Sequence, residues 1–287
     1  MDPFYNRYPA SAAFRGILIL LPLLCLGAPV HAEVADPYAA WDGGLTKPAI
    51  HPFAPIAPFQ ADYRFGWEGI GAGGATVRVT ADKPGRRNIV VRGGPNALIR
   101  KLWAYQALYA GEAGANGEAP SWFQLTETQS KNALISVADF KPGSVFFCHR
   151  LLTEKKPWEL TELTGVMDLF AAMLFVRSQP LHDGDKLRMA VFPDENPYLV
   201  DLRVVGRETL TIQGKKIPAI QFSLRIQTIE THGAHKGRVA PDHKFHSGRV
   251  WMSDDAERLP LRAEVDIFIG RVFAEIEHCH GEEIPSF

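Results

Sequence analysis

The sequence predicts a mainly β protein: a curved antiparallel sheet or barrel-like domain that holds one buried helix and carries one peripheral helix. Apolar and polar residues alternate with period two in six separate segments, as in strands with one buried and one solvent-facing side. Turn residues separate these segments, and one apolar run interrupts them. Because about ten such strands cannot bury their apolar faces as a flat sheet, we expect the sheet to curl or stack.

The first 32 residues have the pattern of a cleavable signal peptide. Arg7 and Arg15 are positive charges that precede an apolar stretch over residues 16–27, and Val30 and Ala32 are the small residues that signal peptidase accepts. The stretch is shorter than the roughly 20 residues that a membrane-spanning helix needs, so we expect no transmembrane anchor after cleavage. The sequence therefore predicts a protein of the bacterial periplasm, or a secreted one.

Residues 33–59 contain five prolines and no lasting periodicity, which predicts an extended N-terminal arm. Residues 60–287 are then expected to form a single β-rich domain, long enough to bury a sizeable core. The formal net charge of the chain is −1. Such a balance argues against nucleic acid, and against anionic membrane surfaces as the main partners.

Two segments break the alternation and predict the helices. Residues 97–109 follow Asn96, a suitable N-cap, and carry apolar and aromatic residues at helical spacing. Those residues are Leu98, Leu102, Tyr105 and Tyr109. Residues 166–176 are apolar almost all round, which is typical of a buried helix. We expect this second helix to fill the concave side of the sheet.

The second half of the chain carries an ordered set of motifs: residues 168–181 (DLFAAMLFVRSQPL), Gly184-Asp185, Gly206-Arg207-Glu208, residues 250–255 (VWMSDD) and Arg258-Leu259-Pro260. Their order resembles a bacterial family known as domain of unknown function 3108, over roughly residues 60–277. The resemblance implies a secreted or periplasmic protein with a mainly antiparallel β fold. It brings no catalytic residues.

A histidine-rich stretch is the candidate metal site. His232, His235, His243 and His246 are imidazole donors of the kind that bind zinc or copper. Their spacing matches no recognised ligand pattern, and a solvated loop between two strands is the alternative.

Cysteines and aromatic residues supply two further predictions. Cys148 and Cys279 remain after removal of the leader, and an oxidising compartment favours a disulfide between them. The aromatic residues Trp103, Tyr105, Phe170 and Phe175 are candidates to line a ligand cavity; ordinary core packing is the alternative.

No nucleophile elbow, zinc-protease helix or phosphate-binding loop occurs, and we expect no cofactor. The leading hypothesis is a non-enzymatic envelope protein that binds a lipid or other apolar or amphipathic ligand, or a partner's segment, in the concavity of the sheet. The alternative is a periplasmic metal-dependent hydrolase or lyase that acts on an envelope polymer.

Overall fold

The period-two segments fold into a single sheet of sixteen strands in the computed structural model. The structure describes residues 41–49, 57–102, 104–118, 120–130, 132–233, 236–241, 245–267 and 270–280. The strands are β1 (Phe59–Trp67), β2 (Ile70–Thr80), β3 (Arg86–Pro95), β4 (Tyr105–Gly114), β5 (Trp122–Gln129), β6 (Asn132–Lys141), β7 (Ser144–Leu151), β8 (Glu159–Thr161), β9 (Val166–Met167), β10 (Lys186–Val191), β11 (Tyr198–Ile212), β12 (Lys215–Ile229), β13 (Val239–Pro241), β14 (Phe245–Ser253), β15 (Pro260–Ile267) and β16 (Gly270–His280). The helices among these described residues are α1 (Ala97–Arg100) and α2 (Leu169–Ser178).

The strand order shows how far the sheet curls. It is β8-β7-β6-β5-β4-β3-β2-β1-β16-β15-β14-β12-β11-β10-β9, with β13 paired to β12. Neighbours are antiparallel except β9 and β10. The edge strands β8 and β9 are joined by only residues 162–165, so Thr161 and Val166 lie within roughly 19 Å of each other. The sheet therefore turns back on itself without closing, which confirms the predicted curved antiparallel fold.

The buried helix is confirmed as α2, and all ten of its residues are buried. Asp168 is its N-cap and accepts hydrogen bonds from the backbone N–H groups of Phe170 and Ala171. The helix follows β9 directly, reverses direction and lies against β4, β9 and β10. It therefore occupies the concave side of the sheet.

The peripheral helix is shorter than predicted. Asn96 is its N-cap, as expected, but α1 spans only four residues. Tyr105 and Tyr109 belong instead to β4, where both are buried. Residues four apart share a side in a helix and also in a strand, so their spacing fits both. The backbone pairing of β4 with β3 and with β5 shows that both tyrosines belong to a strand.

Part of the N-terminal arm packs on the domain. Trp41 is buried in the core. The backbone N–H of Thr46 donates to the carbonyl of Arg188 on β10 at 2.9 Å, and the backbone N–H of Arg188 donates to the Thr46 hydroxyl at 2.8 Å. The predicted signal peptide and most other residues of the arm lie outside the described residues.

The alternating strand directions sort the connections into two ends of the sheet. One end, here called the rim, carries the β1–β2, β3–β4, β7–β8 and β10–β11 connections and the start of α2. The opposite end, here called the base, carries the β4–β5, β11–β12 and β14–β15 connections and the end of α2.

Candidate functional site

A row of directly opposed residues crosses the concave face from β2 to β7. Its members are Val77, Val91, Tyr109, Leu125, Ser136 and His149. Opposed residues on neighbouring strands share one face, so the row changes from apolar on β2 and β3 to polar on β6 and β7. The helix α2 lies over its apolar and aromatic part, since the rings of Phe170 and Tyr109 are 4.4 Å apart.

A buried carboxyl group joins this row to α2. The hydroxyl of Tyr109 donates to Oδ1 of Asp168 at 2.6 Å, and the same oxygen accepts the two helix N–H groups at 2.8 and 3.0 Å. Burial raises the pKa of Asp168 and the pKa of Tyr109. Among the described residues, Oδ2 of Asp168 has no hydrogen-bond partner.

Two small apolar cavities flank α2. The first lies against β3, β4 and β5 and is lined by Val91, Ala107, Tyr109, Leu125, Leu169, Phe170 and Pro193. The second lies against β10, β11, β12 and β14 and is lined by Ala172, Met173, Val176, Met189, Leu202, Phe222, Val250 and Met252. Each has a volume of about 10 Å³. A cavity of that volume has room for about one water molecule, and apolar cavities of this kind stay dry.

The aromatic residues that were predicted to bind a ligand have different environments in the structure. Phe170 lines the first cavity. Phe175 is fully buried on α2, and Tyr105 is buried with its hydroxyl donating to Oε1 of Glu127. Trp103 lies outside the described residues.

The two margins of the curled sheet meet through a cluster at the rim, here called the rim clamp: Ser136, His149, Phe192 and Glu195. Ser136 and His149 lie near one end of the strand order, on β6 and β7, whereas Phe192 and Glu195 belong to the β10–β11 connection near the other. The Ser136 hydroxyl is 2.7 Å from Nδ1 of His149, whose Nε2 is 3.3 Å from Oε2 of Glu195. The Phe192 ring packs edge-on against that of Phe147 at 5.2 Å.

Serine, histidine and a carboxylate in this order also occur in acyl-transfer enzymes. Such chemistry needs an accessible hydroxyl and hydrogen-bond donors for an oxyanion. Ser136 is only 1 % exposed, and β6 is paired on both sides, so its backbone N–H groups are used in the sheet. We therefore interpret the rim clamp as a structural element that holds the curl.

Two arginines hold α2 at the base. The guanidinium of Arg177 donates to the carbonyl of Glu257 at 3.2 Å and lies 4.8 Å from the centre of the Phe59 ring. Arg258 donates to the carbonyls of Arg177 and Gln179, where a helix end favours positive charge. Burial lowers the pKa of each arginine to about 10. The helix is thus fixed by polar contacts at both ends and by apolar packing between them.

The histidine stretch gives no metal centre in the described part of the chain. His232 is exposed, and its Nδ1 is 2.8 Å from the hydroxyl of Thr231. His235 and His243 lie outside the described residues, and His246 is described only by its backbone on β14. No group of three or more His, Cys, Asp or Glu side chains that the structure describes could hold a metal ion. The histidine site stays a prediction.

The expected disulfide is not formed. Cys148 on β7 and Cys279 on β16 are both free thiols, and six strands lie between β7 and β16 in the sheet. A disulfide requires Cα atoms about 4.4–6.8 Å apart, a proximity that the sequence does not encode. Cys148 is buried, with its sulfur 3.5 Å from the carbonyl of Lys156.

Sequence reasoning missed most of the polar residues of this interior. The cap Asp168 had a readable signal, because an aspartate directly before an apolar helical run is a typical N-cap. Ser136 and Glu195 had none, since neither belongs to a local motif.

The strand order and the buried helix define the class of protein: a single, strongly curled antiparallel sheet, barrel-like but open, with a helix in its concavity. The chain belongs to the DUF3108 family of proteins of unknown function, which matches residues 59–277. No curated protein matches the chain. No helix among the described residues is long and apolar enough to cross a membrane.

One solved structure shows the same fold class. A beta-barrel-like protein of domain of unknown function DUF1849 from Brucella abortus is 10 % identical, covers 82 % of this chain and 100 % of its own, and has a TM-score of 0.50. More distant are the hypothetical lipoprotein YmcC from Escherichia coli (9 % identity, 78 % and 88 % coverage, TM-score 0.29) and the lipoprotein LppX from Mycobacterium tuberculosis (13 %, 80 % and 90 %, 0.24).

Proposed function

We propose that this protein is exported, is processed after Ala32, and binds an apolar or amphipathic ligand between α2 and the concave face of the sheet. The observation that carries the proposal is the pair of dry cavities on the two sides of α2. Apolar pockets with few polar groups are the usual binding sites for small apolar ligands. The signal-peptide pattern of residues 1–32 supports a location outside the cytoplasm.

The lining of the second cavity supports a binding site that changes shape. Three of the five methionines of the chain line it: Met173, Met189 and Met252. Methionine side chains are flexible and polarisable and adapt to irregular partners. A volume of about 10 Å³ does not admit an acyl chain, so binding requires α2 to move away from the sheet. The methionine side chains can change rotamer as α2 moves, while the polar contacts at the two ends of α2 oppose the movement.

The first cavity supports an amphipathic ligand. Leu125 lines it and is directly opposed to Ser136, while Pro193 lines it and precedes Asp194. An apolar chain in this cavity would therefore place its polar end beside the rim clamp. Burial raises the pKa of Asp194, and the neighbouring charge of Glu195 acts in the same direction. A polar group that donates hydrogen bonds is the headgroup that suits these side chains.

The test is a titration of the mature protein with a fluorescent long-chain alcohol, whose hydroxyl can donate a hydrogen bond. Ala107 lines the first cavity from the inner side of β4, whereas Ala110 lies on the outer side of the same strand. We expect Ala107→Leu to weaken binding at least about tenfold, which corresponds to about 1.4 kcal/mol, because the added methyl groups fill the cavity. The matched control Ala110→Leu keeps the wild-type affinity. Saturable binding that is equal in all three proteins would place the ligand elsewhere, and no binding would contradict the proposal.

A further inference from the structure

Part of the N-terminal arm covers an open stretch of sheet edge. The short strand β9 pairs only with the last two residues of β10, at the rim, so β11 is the one described strand that lies beside residues 186–189. Residues 41–49, here called the strap, lie along this open edge. The two hydrogen bonds between Thr46 and Arg188 use both backbone groups of Arg188. Because an uncovered edge is a place where a chain can add to a sheet, the strap takes the place of a missing edge strand.

The strap also holds the base end of α2. The backbone N–H of Ala49 donates to Oε1 of Gln179 at 3.1 Å. Nε2 of Gln179 donates in turn to the carbonyl of Phe175, in the last turn of the helix, at 3.3 Å. The strap thus joins the open edge of β10 to the end of α2.

Both of the elements that the strap joins border the second cavity. Met189, which follows Arg188 on β10, lines that cavity from the sheet, and Val176 lines it from the last turn of α2. Ligand binding in the cavity requires α2 to move away from the sheet. Because the strap is bonded to β10 and to α2 alike, α2 can move away from β10 only if one of these two contacts breaks.

The strap is held less firmly than the strands. Of its nine residues, all of which the structure describes, five are exposed and only Trp41 is buried. Trp41 belongs to the hydrophobic core, and Leu45 packs against that core while it stays partly exposed. Segments with few buried apolar side chains open at a lower free energy than core strands do. The strap can therefore leave the domain while the sheet stays folded.

We propose that the strap is the gate of the second cavity. When the strap leaves the open edge of β10, the base end of α2 is released, and an apolar ligand enters between β10 and α2. The inference rests on the proposed ligand binding, to which it adds the route of entry and the segment that controls it. Trp41 and Leu45 are the apolar anchors of the closed strap, whereas Asp42 and Lys47 are exposed and do not hold it.

Association kinetics and hydrogen exchange of the mature protein test the gate. We expect Trp41→Ala with Leu45→Ser to raise the association rate of the fluorescent long-chain alcohol at least about tenfold, because the closed strap loses its apolar anchors. Without ligand, hydrogen exchange is expected to rise by a similar factor in β10, and to stay unchanged in β3, β4 and β5 on the other side of α2. The matched control is Asp42→Ala with Lys47→Ala, which changes two exposed residues of the strap and keeps the wild-type rates.

A second variant, Thr46→Pro, keeps both anchors and removes the N–H and the hydroxyl that bond to Arg188. We expect it to change the association rate and the exchange of β10 in the same direction. Wild-type association rates in both variants, or unchanged exchange in β10, overturn the gate, while saturable binding in those proteins leaves the ligand-binding proposal intact. Absence of binding in every protein, the wild type included, overturns both proposals.

Discussion

Among single residues, a few buried polar groups with apolar surroundings hold the interior together. Asp168 caps α2 and accepts the Tyr109 hydroxyl while only 1 % exposed, whereas Asn96 caps the single turn of α1 in solvent. The two caps have the same local geometry and different environments. Local sequence predicted Asn96 as a cap, but the partner of Asp168 comes from a strand 59 residues away and could not be predicted.

Removing the two caps separates capping from burial. We expect Asp168→Ala to lower the free energy of unfolding by about 2–4 kcal/mol, because the helix loses its cap and the buried Tyr109 hydroxyl loses its acceptor. Asn96→Ala serves as the control and costs less than about 1 kcal/mol, since α1 is short and exposed. Urea unfolding followed by circular dichroism measures both. Equal losses in the two variants would show that burial of Asp168 adds nothing.

Acid sensitivity is expected at Glu112. Hydrogen bonding to Lys83, ahead of that to Arg86, lowers the pKa of this carboxyl. A lowered pKa means that the ion pairs stabilise the fold above the unfolded pKa of roughly 4.5, and that this contribution is lost as the pH falls through the folded value. Glu112→Gln therefore reduces the loss of stability between about pH 5 and pH 3. Unfolding midpoints measured across that range test it; parallel curves for both proteins contradict it.

Among the elements, strands and the buried helix were predictable, and the extent of α1 was not. Period-two alternation identified strands such as β1 and β12 because each has one wet face. α2 was predictable because it lacks a polar face. Tyr105 and Tyr109 led to the wrong prediction of a long helix, because a spacing of four residues fits a helix and a strand equally. The pairing of β4 with β3 and β5, which decides between them, cannot be predicted from the local sequence.

Gly117 shows how a turn supports α2. It has φ +80° in the β4–β5 connection, and a Cβ there would clash with the carbonyl oxygen of Ala171 and the backbone of Phe175. Gly85, in the β2–β3 turn, has φ +69°, and a Cβ there would meet no other atom within 4 Å. We expect Gly85→Ala to cost about 1 kcal/mol for its backbone alone, and Gly117→Ala to cost clearly more because α2 must shift. The thermal unfolding midpoints of the two variants test this expectation. Equal midpoints would mean that the close contact between the β4–β5 connection and α2 does not limit the residue at position 117.

For the molecule as a whole, the curl depends on contacts between strands far apart in sequence. Alternation predicts which face of a strand is buried, but not which side chain lies across the opening. His149 and Glu195 meet only because the curl of the sheet brings β7 and the β10–β11 connection together. The concave face that holds α2 was therefore predictable as a surface, while the contact of the two margins through the rim clamp was not.

Phe192 tests whether the contact between the two margins holds the curl of the sheet. Its ring contacts those of Phe140 and Phe147 across the opening, and it is fully buried. We expect Phe192→Ala to destabilise the protein by about 3–5 kcal/mol and to increase hydrogen exchange at the margins β8 and β9. Phe146→Ala on the outer side of β7 is the matched control, since Phe146 is 39 % exposed. Unchanged exchange at both margins in Phe192→Ala would show that the ring does not hold the curl.

Binding of an apolar or amphipathic ligand in the interior around α2 is tested most directly by native mass spectrometry of the mature protein, purified gently from its own envelope. We expect a bound species of a few hundred daltons that organic solvent removes, and that is depleted in Ala107→Leu but not in Ala110→Leu. A wild-type spectrum that contains only the bare chain, from protein that also fails to bind the fluorescent long-chain alcohol, would contradict ligand binding.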